Sequence, residues 1–332
     1  MPESRDGYRV RQLDDLTLTA AMVKGKWQAV AIHKFAPDHY FSTMGSHEPV
    51  LRIADGDTVV TTTIDASGRD ASDTQIHQGG NGQTGPFYVE GAEPGDALAV
   101  RLDSFAPNRR RGWSASVIAE RILDPEFVRD LPARKTIDWD VDVEAGTVTL
   151  ADADTALGRL VLPLEPMLGC FGVAPAGGQA ISTATSAYHG GNMDYRGHRP
   201  GVTVIFPVAV PGALFHLGDG HAVQGDGEIV GTGVEISMDV QFTVSVIKQS
   251  NIVWPRTIDD DYIMALGNAR PLDEALQAAT TELVRWLSAD YGLDTRSAST
   301  LLGQTVEYDI ANVFDPAYTV VAKLNKRWLP ER

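Results

Sequence analysis

The sequence predicts a mainly β protein with an α+β C-terminal portion. Three observations carry that expectation. Apolar and polar residues alternate in short runs, most clearly Val240, Phe242, Val244 and Val246 against Gln241, Thr243 and Ser245, which is the period of a half-buried strand. Turn sequences rich in Gly, Pro and Asp separate the runs. Helical spacing is concentrated late, from Asp273 onward.

The elements follow in chain order. Thr58 to Ile64 is a β-branched run that opens after Asp55-Gly56-Asp57 and closes at Asp65-Ala66-Ser67-Gly68. From Ala97 to Phe105, Leu98, Val100 and Leu102 share one face and Arg101 and Asp103 the other, after the turn Glu93-Pro94-Gly95-Asp96. Gly146 to Leu150 reads as one arm of a hairpin, and Val202 to Phe206 and Tyr318 to Ala322 as further strands. Asp273 is a candidate N-cap with Pro271 just upstream. Leu276, Ala279, Leu283, Val284 and Leu287 then recur at helical spacing, so a helix is expected over 273–290, ending near Gly292. Asp294 can cap a second helix carrying Ala298, Leu301, Leu302 and Val306. A seam near 155–165 divides a mainly β part, 1–160, from an α+β part, 161–332, unless the two form one intertwined domain.

Composition excludes several classes. The 332-residue chain has 43% hydrophobic residues and a formal net charge of −16. Nucleic acid and anionic lipid both require basic surface, so neither is an expected partner. No apolar run is long enough to span a bilayer, and the N-terminus lacks the pattern of a signal peptide, so a cytoplasmic protein is expected. One cysteine, Cys170, excludes an internal disulfide, and its apolar neighbours indicate a buried, inert thiol. Arg109-Arg110-Arg111, on a turn, reads as a solvated loop or an oligomer contact.

Two segments carry the chemistry. Leu217 to Glu228 interleaves four glycines with Asp219, His221, Gln224, Asp226 and Glu228. Such a segment neither sustains a helix nor buries much apolar surface. Its value lies in presenting polar groups on a tightly turning backbone. His189-Gly190-Gly191-Asn192-Met193-Asp194 has the same character. Neutral imidazole and carboxylate are the ligands of catalytic zinc, which keeps a position open for water. Asp219 and His221, two apart, face one side of an extended segment. Alternatively, Asp219 and Asp226 bond only to their own turns. Glu228 and Glu90 are candidate general bases. Glu228 should stand at a strand entrance, and Glu90 interrupts an apolar run where burial would raise its pKa; a solvent-facing Glu90 is the alternative. Asp65 ends a strand, where it either acts from the loop or caps the turn. A phosphate loop is excluded by the two acids and the missing Lys around Gly225-Asp226-Gly227. Ser182 to Ser186 offers hydroxyls but no GxSxG elbow.

The chain resembles the acetamidase/formamidase family of amide hydrolases. The resemblance rests on four segments in order: Gly85-Pro86 through Asp96, Leu168-Gly169 through Pro175, His189 through Asp194, and Val210-Pro211-Gly212 through Glu228. It runs from about residue 45 to about residue 325. It implies a β-sandwich or barrel-like fold, homo-oligomers, and hydrolysis of short amides to carboxylate and ammonia. It also implies a divalent metal, zinc foremost. On this reading His189, His221, Asp219 and Asp65 hold the metal and its water, Glu228 or Glu90 moves the proton, and Asn192 steadies the oxyanion. Hydrolysis of a small γ-lactam, and a non-catalytic protein binding a small molecule or metal, are the alternatives. The polar stretch 65–84 and the Ser/Thr-rich stretch 181–187 depart from the family pattern and can line the pocket.

Overall fold

The computed structural model describes residues 31–151, 155–250 and 252–330. Two sheets form its body. The larger has nine strands in the order Ile32–Lys34, Thr58–Thr62, Met238–Ile247, Ala97–Pro107, Thr203–Pro207, Arg256–Ile258, Tyr262–Ala269, Tyr318–Asn325 and Glu307–Asn312. The smaller has six, in the order Ser186–Ala187, Gly190–Asn192, Met167–Gly172, Phe215–His221, Thr84–Val89 and Leu51–Ile53. Both take strands from before and after residue 160. A four-stranded sheet, including Arg111–Ala115 and Thr136–Asp142, flanks them.

The two main sheets pack as a sandwich. Phe87, Phe171 and Phe215 of the smaller meet Phe206 and Phe242 of the larger. The Phe87–Phe242 and Phe215–Phe242 ring centroids lie 5.3 and 5.2 Å apart, edge to face. The alternation of the strand Ala97–Pro107 explains its place. Leu98, Val100 and Leu102 enter the sandwich core, while Ala97 and Ala99 turn to the opposite face, beneath the helical layer.

That layer is the helix Leu272–Tyr291, whose Ala275, Ala279, Leu283, Trp286 and Leu287 are buried against the nine-stranded sheet. It begins one residue earlier than expected, with Pro271 at the N-cap and Asp273 in the first turn, where a carboxylate complements the helix dipole. Gly292, at φ 65°, ends it in the left-handed region. Asp294 caps the second helix, Thr295–Thr305, by accepting the Ser297 N–H at 2.7 Å. No helix among the described residues is long and apolar enough to cross a membrane.

The first helix lies so close to the sheet that a Cβ on Gly267 would stand 2.0 Å from the Ala275 carbonyl oxygen and 2.5 Å from the Ala279 nitrogen. Both neighbours are backbone and cannot swing aside. Gly267→Ala should therefore destabilise the fold by about 1–3 kcal/mol, read as a lowered denaturant midpoint at constant slope.

Candidate functional site

The strand Phe215–His221 is buried along its whole length. It runs beside Met167–Gly172, with Leu168 opposite Gly220 and Cys170 opposite Gly218. Gly169, between those pairs, makes room for the site. A Cβ there would fall 2.2 Å from Oδ1 of Asp194 and 2.7 Å from Oδ2 of Asp219. Asp194, Asp219 and Glu228 all have positive φ, at 42°, 60° and 46°, a region that non-glycine residues seldom occupy. Three carboxylates held this way in one place are characteristic of a site rather than of a packed core.

His221 is the hub. Its Nδ1 lies 2.8 Å from Oε1 of Gln224, whose Nε2 donates to the Asp194 carbonyl oxygen at 2.6 Å. A backbone carbonyl only accepts, so the Gln224 amide orientation is settled and its oxygen takes the Nδ1 proton. Nε2 is thereby directed at carboxylates, Glu235 at 2.9 Å and Asp219 at 3.5 Å. A second acidic group adjoins the first. Asn312 donates from Nδ2 to Asp194 Oδ2 (2.6 Å), Glu228 Oε2 (2.8 Å) and Asp315 Oδ2 (2.9 Å). Asn192 donates to Asp315 Oδ2 at 2.6 Å.

Two sets of side chains each bring their potential ligand atoms within 4.8 Å of one another: Asp219, His221 and Glu235, and Asp194, His221 and Glu228. Such oxygen and imidazole donors suit a divalent cation. Their polar atoms also invite one. Glu235 Oε2 and Asp194 Oδ1 are buried without a hydrogen-bond partner, a costly state unless an ion or water completes it.

The electrostatics agree. Burial, then Glu228 and Asp219, raise Asp194 well above the usual carboxyl range. Burial and Asp315 do the same to Glu228. Burial pushes Glu235 up to about 7 against the pull of His221, and Asp315 up to about 6. Burial also opposes charge on Asp219 and His221. Their mutual attraction outweighs it, with Glu235 the largest favourable influence on the ring, so Asp219 lies below and His221 well above its ordinary value. Too many carboxylates share too small a space for all to ionise without added positive charge.

Asp219, His221, Glu228 and Asn192, singled out in the sequence, are brought together here. The structure places the three other candidates outside this cluster. Glu90 is not buried; it follows the strand Thr84–Val89 into a turn and pairs with Arg52 at 3.1 Å on the surface. Asp65 is buried, but its oxygens already accept from Ser67, the Arg69 N–H, Arg109 and the Trp113 Nε1, leaving no lone pair for a metal. His189 stands in neither ligand group. Its carbonyl bonds Val173, whereas His221 pairs with Met167, so their backbones are six positions apart along one strand, roughly 20 Å. An exposed pair such as Arg52–Glu90 is screened by solvent and adds little to stability, so Glu90→Gln should leave the denaturant midpoint nearly unchanged.

Asp194 and Gln224 of this site lie inside the two glycine-rich segments, whereas Glu235, Asn312 and Asp315 stand elsewhere in the chain, with no local signal in the sequence.

A profile described as the Acetamidase/Formamidase family matches residues 169–324. The acetamidase of Mycolicibacterium smegmatis is 29% identical over 216 residues, covering 50% of this chain and 53% of that protein. The chain spans about half the length of the curated relatives it matches. The crystal structure of acetamidase from Yersinia enterocolitica is similar at 32% identity and a TM-score of 0.80, covering 93% of this chain and 96% of that one. A γ-lactamase from Delftia acidovorans shares the fold, with a TM-score of 0.54 at 20% identity.

Proposed function

The chain belongs to the acetamidase/formamidase family, and from that premise we propose that it hydrolyses small linear amides to a carboxylate and ammonia. The observation that supports this most is the buried ring of carboxylates around His221, two sets of which are spaced for a cation. Asp219, His221 through Nε2, and Glu235 would hold a divalent ion, zinc on this reading, with Asp194 and Glu228 on its other side. Bound there, it would supply Lewis acidity and bring the pKa of water toward about 7.

The protein's own groups answer the remaining demands of the reaction. Amide resonance makes the carbonyl a poor electrophile and the nitrogen a poor leaving group. A proton must therefore leave the attacking water and reach the nitrogen. Glu228, whose pKa is raised by burial and Asp315, suits both tasks, because a carboxylate shifted upward is the stronger base and can return the proton it takes. Asn312 keeps Glu228 and Asp194 in place by donating to both. Asn192 has two N–H groups; one serves Asp315 and the other is assigned to the developing oxyanion, a contribution of about 3 kcal/mol per donor in other enzymes. Homo-oligomeric assembly and a cytoplasmic location belong to the same reading.

The test is direct. Purified protein is analysed for metal content, treated with a chelator, and assayed for ammonia release from formamide and acetamide before and after zinc is restored. Metal-dependent turnover is expected. A protein that releases no ammonia from any small amide with metal supplied is not the proposed enzyme.

A further inference from the structure

A chain of side-chain amides leads away from the acidic cluster, and its polarity is set at several points. Asn192 Nδ2 donates to the carboxylate of Asp315, so its Oδ1 faces the other way and accepts from Asn81 Nδ2 at 2.8 Å. Asn81 Nδ2 also donates to the Thr183 backbone carbonyl at 3.2 Å, which cannot act as a donor. The Asn81 Oδ1 then accepts from Gln83 Nε2 at 3.0 Å. Gln83 Nε2 is fixed independently by the Asn81 backbone carbonyl at 3.1 Å. Each amide thus passes its orientation to the next, and the relay ends on the Oε1 of Gln83.

That terminal oxygen is the anomaly. Gln83 is 0% exposed, and its Oε1 is buried without a hydrogen-bond partner. An amide oxygen in that state has given up its water without gaining a partner, which is costly. It cannot be relieved by flipping the amide, because two acceptors would then face the Gln83 oxygen. The position is also preserved sterically. A Cβ on Gly218 would come within 2.8 Å of Gln83 Nε2 and 3.0 Å of its Oε1, and Gly218 immediately precedes Asp219. The Gln83 amide is tied to the acidic cluster through Asn81, whose side chain bonds both Asp219 and Asn192, the latter in turn bonded to Asp315.

We propose that Gln83 Oε1 is the subsite for the nitrogen of the substrate, accepting an N–H of a primary amide. This rests on the amidase reading and deepens it, because it assigns a residue that selects an amide over a carbonyl compound without N–H. A site with a committed acceptor binds the donor-bearing ligand and leaves a buried lone pair unpaired against the isostere. The Asn81 and Asn192 amides act as positioning residues for it.

Acetone tests this, because it has the shape of acetamide with a methyl group in place of NH2. In the metal-loaded parent protein, the inhibition constant of acetone should exceed the KM of acetamide by at least about tenfold. Gln83→Met should lower kcat/KM for acetamide about 10- to 100-fold, while the inhibition constant of acetone moves less than about twofold. A merely structural role would weaken both ligands together. The proposal is overturned if acetone competes as well as acetamide binds in the parent protein, or if Gln83→Met keeps acetamide turnover within about threefold. Should the variant fail to fold, as judged by thermal unfolding, the acetone comparison in the parent protein decides alone. Turnover of acetamide without discrimination overturns this assignment only, whereas no turnover of any primary amide overturns the amidase reading and this assignment with it.

Discussion

His221→Ala should, on the proposed function, abolish divalent-cation binding and lower kcat/KM for acetamide by about 10³-fold or more, equivalent to about 4 kcal/mol of transition-state stabilisation. The ring belongs to both ligand groups, so its loss empties two sets at once. It is also the ion-pair partner of Asp219 and Glu235. Without it, two buried carboxylates face each other uncompensated, and breaking a buried pair in this way costs about 3–5 kcal/mol of stability. Three measurements check the expectation: metal per chain by elemental analysis, ammonia release, and the denaturant midpoint. A His221→Ala protein that retains a full complement of metal would show that the carboxylates alone form the binding site.

Metal-free protein should become less stable as pH rises from about 6.5 to 8, with a falling Tm, and a divalent cation should restore most of the loss. Glu235 and Asp315 have folded pKa values raised to about 7 and about 6, above their ordinary values of 4.5 and 3.8. Between the ordinary and raised values the folded chain binds more protons than the unfolded one, so stability declines with pH across that interval. Asp194 and Glu228 are shifted in the same direction. His221, also raised, adds stability that is lost as pH climbs through its folded pKa. Asp219 is lowered, and its contribution is lost only on acidification through its folded pKa, outside this window. His189, His198 and His216 are held neutral by burial, with pKa values lowered to about 4, 3 and 3; below their ordinary value of 6.5 they act in the opposite sense, so the net decline is read above it. A bound cation replaces the protons and removes the slope. Thermal melts of chelated and zinc-restored protein across that range measure both effects. A Tm that holds level in the chelated protein would contradict the crowding of charge described above.

The legible parts of the site were those compressed into one segment. Asp219, His221 and Glu228 fall within ten residues, on a glycine-rich strand and turn that could hardly serve as core. Glu235 and Asp315 enter the same space from other segments, and nothing beside them in the chain distinguishes them from surface acids. Only the pairing of strands brings them in. Pairing register also separates His189 from His221, although their local sequences look alike. Asp65 looked available because its partners, Arg109 and Trp113, are more than forty positions away. Glu90 was read as part of a strand that ends one residue before it. The fold followed similar limits. Amphipathic helices and alternating strands of the larger sheet carry their period in the sequence. The short glycine-rich strand Gly190–Asn192 has no alternation to read, since two of its three residues have no side chain.

Asn312 ends an edge strand of the larger sheet, yet its amide grips Asp194, which follows a strand of the smaller one, and Glu228, in the short turn Asp226–Glu228. The candidate site is thus a rivet through two plates. Any slippage of one plate on the other would misalign the acids before a single strand unzips. Catalytic competence is therefore the most sensitive gauge of whether the layers remain seated.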